Sequence, residues 1–227
     1  MIKQHDGYNI KLDKLTIARL ETGVDITNLQ SAVTLDITEK QSLIRLDDLQ
    51  GEVFGGAFAV EQLTLGPGNI ENAFILNVEH MDLAMILEAQ GQEGLSGMGV
   101  IDGKIPVYIS DDGIRIEQGE LLARNPGGEI RYRSGGSANV LQKSGLQMKT
   151  LMRSLDNFHY HHLFSTVQFS PQGVLLLNIE LKGKNPDIDS GREVHLNLNV
   201  EQNILTLLES LRFADNISEV VERRLNK

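Results

Sequence analysis

Leu175-Leu176-Leu177-Asn178-Ile179-Glu180-Leu181 and Val194-His195-Leu196-Asn197-Leu198-Asn199-Val200 are the stretches whose reading decides the fold. In the first, Leu175, Leu177, Ile179 and Leu181 alternate with other residues; in the second, Val194, Leu196, Leu198 and Val200 do the same. A period of two is that of a β-strand turning one face away from water. Glu193, His195, Asn197 and Asn199 fill the second set of positions in the later stretch, so its other face is solvated.

Working outward, the same alternation recurs in Ile105/Val107/Ile109, Ile114/Ile116, Leu121/Ala123 and Ile130/Tyr132. It recurs again in Ile10/Leu12, Leu15/Ile17, Val24/Ile26, Val33/Leu35/Ile37 and Ile44/Leu46. Asp111-Asp112-Gly113 reads as a hairpin turn and Asn125-Pro126-Gly127-Gly128 as a proline-led turn. Gly23, Gly51, Gly55-Gly56 and Gly66-Pro67-Gly68 read as further punctuation. The period lengthens over Met81 to Gln90, where Leu83, Ile86 and Leu87 share a side, Asp82 can cap the start and Gly91 the end. It lengthens again from Ser137 to Phe158, with a stripe of Leu141, Met148, Leu151, Met152 and Leu155, and in Asn203 to Leu211 and Asp215 to Leu225. The expectation is a mainly β chain: an antiparallel sheet with one interrupting helix and C-terminal helices. One β-rich domain spans residues 1–227, with 1–79 forming looser N-terminal strands of the same sheet.

Composition narrows the partners. The net charge is −10, from 21 basic against 31 acidic residues, which argues against nucleic acid and against adhesion to anionic bilayers. It leaves room for lipid tails held in an apolar cavity. The absence of cysteine removes disulfides, thiolate metal sites and cysteine nucleophiles. No stretch approaches the roughly 20 apolar residues needed to span a bilayer, and Met1-Ile2-Lys3-Gln4-His5-Asp6 has no apolar signal core. Any export signal or anchor would have to lie upstream.

Candidate chemistry is sparse. His159-Tyr160-His161-His162 invites a metal. In a strand, however, His159 and His161 share a face that His162 leaves, and no acidic residue nearby completes a ligand set. No metal and no cofactor are expected. Gly94-Leu95-Ser96-Gly97-Met98-Gly99 and Ser134-Gly135-Gly136-Ser137 match neither a Walker loop nor a dinucleotide fingerprint, and read as tight turns. Asp47/Asp48 and Asp111/Asp112 stand in turn-like contexts, there is no Gly-x-Ser-x-Gly elbow, and the sequon at Asn216-Ile217-Ser218 falls in an expected helix. No enzymatic constellation emerges. What remains is the density of strands with one apolar face, which fills a core or lines a trough for an acyl chain; periodicity is the same for both.

Gly97 through Pro106, Ile116 through Ala123, Pro126 through Tyr132, Leu155-Asp-Asn-Phe-His-Tyr-His-His-Leu163, Leu181 through Pro186, Val194 through Ile204 and Leu207 through Arg212 carry a resemblance. Over about residues 80 to 225 the chain resembles the C-terminal region of YdbH-type proteins, grouped with TamB and YhdP among AsmA-like proteins of Gram-negative bacteria. The first 80 residues resemble them only in strand character. The resemblance implies a periplasmic body with an inner-membrane anchor upstream, and a long curved sheet folded like a taco. It also implies passage of phospholipids toward the outer membrane, and strand pairing with a small outer-membrane lipoprotein of the YnbE type. The older description of this region as dicarboxylate transport finds no counterpart in the residues.

The candidates for a lipid groove contacting phospholipid acyl chains are Val107, Ile109, Ile114, Ile116, Leu175, Leu177, Ile179, Leu181, Val194, Leu196, Leu198 and Val200. The candidates for pairing with a partner strand are Val194, Leu196, Asn197, Leu198 and Val200, with Ile105 to Ile109 as a second edge. The first reading is a non-enzymatic lipid-guiding segment of an intermembrane bridge, touching membrane only through parts outside this chain. The alternative is an interaction module that recruits the lipoprotein by its edge.

Overall fold

The computed structural model describes residues 2–4, 7–21, 24–38, 42–66, 72–133, 152–188 and 191–203. Alternating sequence gives strands throughout: β1 (Ile2–Gln4), β2 (Gly7–Glu21), β3 (Asp25–Thr38), β4 (Ser42–Val53), β5 (Gly56–Leu65), β6 (Asn72–Asp82), β7 (Leu95–Met98), β8 (Val100–Ser110), β9 (Gly113–Ala123), β10 (Gly128–Tyr132), β11 (Phe158–Phe169), β12 (Val174–Lys184) and β13 (Glu193–Asn203). They form one sheet of 13 strands in the order β1-β2-β3-β4-β5-β6-β8-β9-β11-β12-β13, with β10 and then β7 branching from the start of β11. Every pairing is antiparallel. The expected mainly β, curved antiparallel sheet is what forms.

The interrupting helix is α1 (Leu83–Ala89), and its ends are those the sequence marks. Asp82 accepts a hydrogen bond from the Ala84 amide at 2.8 Å, and Gly91 closes the far end with φ +63. Residues 152–155 are also helical, and 137–151 of the longer helix expected there lie outside the described residues, as do residues 204–225 of the two expected C-terminal helices; Asn203, expected to open the first of these, ends β13 instead. Phe158 opens β11 rather than ending a helix, because it pairs with Ile130.

Two glycine readings need correcting. Gly51 sits inside β4, not in a turn; the Phe58 ring occupies the space where its side chain would stand, 2.8 Å from the position of a Cβ. The run from Gly94 to Gly99 contains β7, with Gly97 lying beneath Leu83 and Leu87 of α1. At Gly99 the chain bends where the Tyr160 ring leaves no room for a side chain. The Tyr160 hydroxyl donates to the Met98 carbonyl at 3.1 Å, and burial pushes its pKa up to about 12, so it stays a neutral donor.

β-Bulges keep the apolar side chains on one face where simple alternation would lose them. Extra residues enter β2 between Leu12 and Leu15, β4 beside Asp48, β6 between Val78 and Met81, and β9 between Ile116 and Gly119. Asp48 and His80 adopt φ of +53 and +58 at two of them. The His80 bulge is tied down by Asp102, whose carboxylate accepts from the His80 amide at 2.8 Å and contacts Arg124. Partial burial pushes the Asp102 carboxyl up, but the His80 amide and the Arg124 guanidinium outweigh it and hold the group below its usual range.

The core lies on one face at one end of the sheet. Val78, Met81, Leu83, Ile101, Leu155, Phe158, Tyr160, Leu163 and Leu181 form it, beneath α1 and the turn at 152–155. Val53 and Phe58 from one side of the sheet and Leu196 and Leu198 from the other pack against this same cluster, so the sheet curves around it.

Candidate functional site

Register places each sequence candidate. Leu177 opposes Val200, Ile179 opposes Leu198, Leu181 opposes Leu196 and Gly183 opposes Val194. Directly opposed residues share a face, so the β12 and β13 candidates form one surface. Phe169 connects it to β9, opposing Leu175 on one side and Ile116 on the other. Ile116 opposes Val107, and Ile114 opposes Ile109. Every groove candidate named from sequence therefore lies on one face, the face that carries the core.

That face continues where the sequence reading had not looked. A row runs Ile17–Leu29 between β2 and β3, then Gly51–Phe58, Phe58–Val78, Val78–Gly103, Gly103–Leu121, Leu121–Ser165, Ser165–Ile179 and Ile179–Leu198. The Leu29 side chain reaches over Gly51, which closes the step from β3 to β4. Beyond this row lie two more apolar rows, Leu12–Val33–Leu46–Leu63 and Ile10–Leu35–Ile44–Leu65, with Tyr8–Ile37 at their corner. The signal for them was present as alternation in β2 to β4, but the bulges broke it into short runs.

The two ends of the face differ in exposure. Leu181 is 1% exposed and Val107 7%, whereas Ile114 is 47%, Tyr8 47% and Leu12 51% exposed. The face is sealed at the α1 end and open at the end of the β8–β9 hairpin tip. The Ser165 and Ser31 hydroxyls on this face are spent on backbone: Ser165 donates to the Thr166 carbonyl at 3.2 Å, and Ser31 to those of Ala32 and Asp47 at 2.8 and 3.0 Å. Aliphatic walls without free polar groups can shelter hydrocarbon, at about 0.8 kcal/mol per buried CH₂. Between β5 and β6 the ladder stops at Ala59–Asn77, leaving a cavity of about 480 Å³ beside Phe74 and Lys104.

Of the two edges expected from sequence, β13 is one: it pairs with β12 alone among the described residues. Ile105 to Ile109 is not, because β8 is flanked by β6 and β9.

The histidines are placed differently from their sequence reading. A bulge at His161 shifts the register, so His159 opposes Lys184 and His162 opposes Lys182, and these two share the outer face. An acidic partner does exist: Glu193 lies 3.0 Å from His161 Nε2 and 3.6 Å from His195 Nε2. The hydrogen bond from His161 is the main cause holding the Glu193 carboxyl below its usual range. Among the described residues no group of three or more His, Asp or Glu side chains is arranged to hold a metal. The second glycine run, Ser134 to Ser137, and the sequon at Asn216 lie outside the described residues.

Comparison with known proteins places the chain in a family. A family sequence model described as "Intermembrane phospholipid transport protein YdbH" matches residues 7–226, a wider span than the residues from about 80 to 225 that carry the resemblance. A curated relative, the "Probable phospholipid transport protein YdbH" of Escherichia coli (strain K12), is 22% identical over 207 residues. That alignment takes in 88% of this chain and 23% of the relative, so the chain spans about a quarter of the relative's length. No solved structure matches. On a match running almost from end to end, the chain belongs to the YdbH-like family.

Proposed function

We propose that this chain is a periplasmic section of an intermembrane bridge, and that phospholipid acyl chains travel along its inner apolar face between the two membranes. One observation carries the reading: the aliphatic face is continuous from β2 to β13, and its far end is open instead of being filled as a core. A filled core would bury Leu12, Tyr8 and Ile114, yet about half of each is exposed. Exposed apolar surface on this scale marks a binding surface. The family's description as a phospholipid transporter supports the choice of occupant.

The test uses a photo-crosslinking residue at Leu177 or Leu196 of the full-length protein in cells, with Asn197 as control. Leu177 and Leu196 share the inner face, and Asn197 points outward between Leu196 and Leu198. Lipid adducts are expected at the first two positions and not at Asn197. A folded protein giving no adducts on this face would show it to be a core only.

The edge of β13, which pairs with β12 alone among the described residues, favours a second role, recruitment of a small outer-membrane lipoprotein (YnbE-like) through strand pairing with Val194, Leu196, Asn197, Leu198 and Val200. Unpaired N–H and C=O groups on a regular edge are a template for another strand. Asn197→Pro removes one donor, and its expected result is loss of partner binding in a pull-down with the lipoprotein. Unchanged binding by the folded variant would remove β13 from consideration.

A further inference from the structure

We propose that the cavity at the start of β13, lined by Arg153 and Arg192, binds the phosphate of a phospholipid headgroup. This rests on the lipid-conduit reading above and adds a polar anchor to it. The cavity has a volume of about 490 Å³, within the range of small-ligand sites, roughly 300–1,000 Å³. Arg153, Ser154, Asn185, Arg192, Val194 and His195 are among the residues lining it.

Local structure fixes both guanidinium-bearing positions. The buried Asn185 donates to the carbonyls of Arg153 and Ser154 at 3.0 and 3.3 Å, and accepts from the Asp187 amide at 2.8 Å. That ties the helical turn at 152–155 to the loop after β12. Arg192 follows a second turn, closed by the Gly191 amide on the Ile188 carbonyl at 2.9 Å. Residues far apart in sequence thus meet at one cavity.

Arg19, Arg45, Arg115, Arg124 and Arg131 each contact a carboxylate. Arg153 and Arg192, like Arg133, have no such partner among the described residues, and they line one cavity together. The acid lining the same cavity, Glu193, is engaged by His161 and His195. In a chain of net charge −10, two cations that no described carboxylate contacts line one cavity, and this local positive charge is what would attract an anion. Guanidinium forks match phosphate oxygens two at a time, and the Ser154 hydroxyl can add a donor. Val194 lines the cavity and begins the aliphatic row Val194–Leu196–Leu198–Val200 on the inner face. Phosphate chemistry and an apolar strip therefore meet at one point, as in an amphiphile.

Calorimetric titration of the 227-residue chain tests this with three probes: dihexanoyl phosphatidylglycerol, dihexanoylglycerol and inorganic phosphate. Arg153→Ala combined with Arg192→Ala is expected to weaken the phosphatidylglycerol at least about tenfold, the scale of losing charged hydrogen bonds. Dihexanoylglycerol binding should not change, which also reports that the variant is folded. Glu193→Gln, which removes the cavity's own negative charge, should tighten phosphatidylglycerol binding. Equal phosphatidylglycerol binding by wild type and the double variant would overturn the site while leaving the conduit standing. Failure of both hexanoyl probes to bind would overturn the conduit reading and the site with it. Inorganic phosphate binding as tightly as phosphatidylglycerol, and lost in the double variant, would make this a site for free phosphate and overturn the headgroup assignment.

Discussion

Phe158→Ala should lower the unfolding free energy by about 3–5 kcal/mol, the usual cost of deleting a fully buried aromatic ring. Phe158 has no solvent exposure and sits where β11 leaves the turn at 152–155, in the cluster with Leu155, Tyr160, Leu163 and Leu181. Urea denaturation followed by far-UV circular dichroism would read the loss as a lower midpoint at unchanged slope. Leu181→Ala, at 1% exposure in the same cluster, should cost about 2–5 kcal/mol. Deletions this large are expected only at the sealed end. A loss under about 1 kcal/mol at Phe158 would mean that the cluster is not the sheet's main anchor, and that the whole apolar face is equally loose.

Sequence periodicity carried the reading furthest where a strand runs without a bulge. Leu175 to Leu181 and Val194 to Val200 keep strict alternation, and register confirms their shared face. α1 was legible from its ends, since Asp82 and Gly91 act at a helix's unsatisfied termini as their chemistry dictates. Bulges hid the rest. Leu12 and Leu15, or Val78 and Met81, stand three apart yet face the same way, and a reader expecting period two splits them into separate runs. The residues that permit this, Asp48 and His80, are not glycines, so nothing in the sequence flags a left-handed backbone. Gly51 shows the converse: a residue that usually signals a turn stands mid-strand, because Phe58 fills the space above it. Strand order is a long-range property, and for that reason the interior place of Ile105 to Ile109 and the meeting of Arg153 with Arg192 could not be read locally.

Leu12→Glu combined with Ile44→Glu should abolish lipid crosslinking along the inner face while leaving thermal stability nearly unchanged. Leu12 is 51% exposed and Ile44 39%, and substitutions at such positions usually change stability by less than about 0.5 kcal/mol. Their rows are the open part of the face, where Leu12 opposes Val33 and Ile44 opposes Leu35 and Leu65. An acyl chain crossing two carboxylates must strip water from them without offering a hydrogen bond, a cost of several kcal/mol. Passage should therefore fall by orders of magnitude, although folding does not. The matched control is Ile75→Glu with Leu122→Glu. Both residues are as exposed as the first pair, but Ile75 alternates with Phe74, which opposes the inward Val107, and Leu122 with Leu121, so they face outward. Crosslinking from Leu177 or Leu196 to lipid, measured in the full-length protein in cells, should persist in the control pair. If both pairs leave adducts intact, lipid does not travel over β2 to β4. If both pairs abolish them equally, the effect is one of added charge and the inner face has no special part in transport.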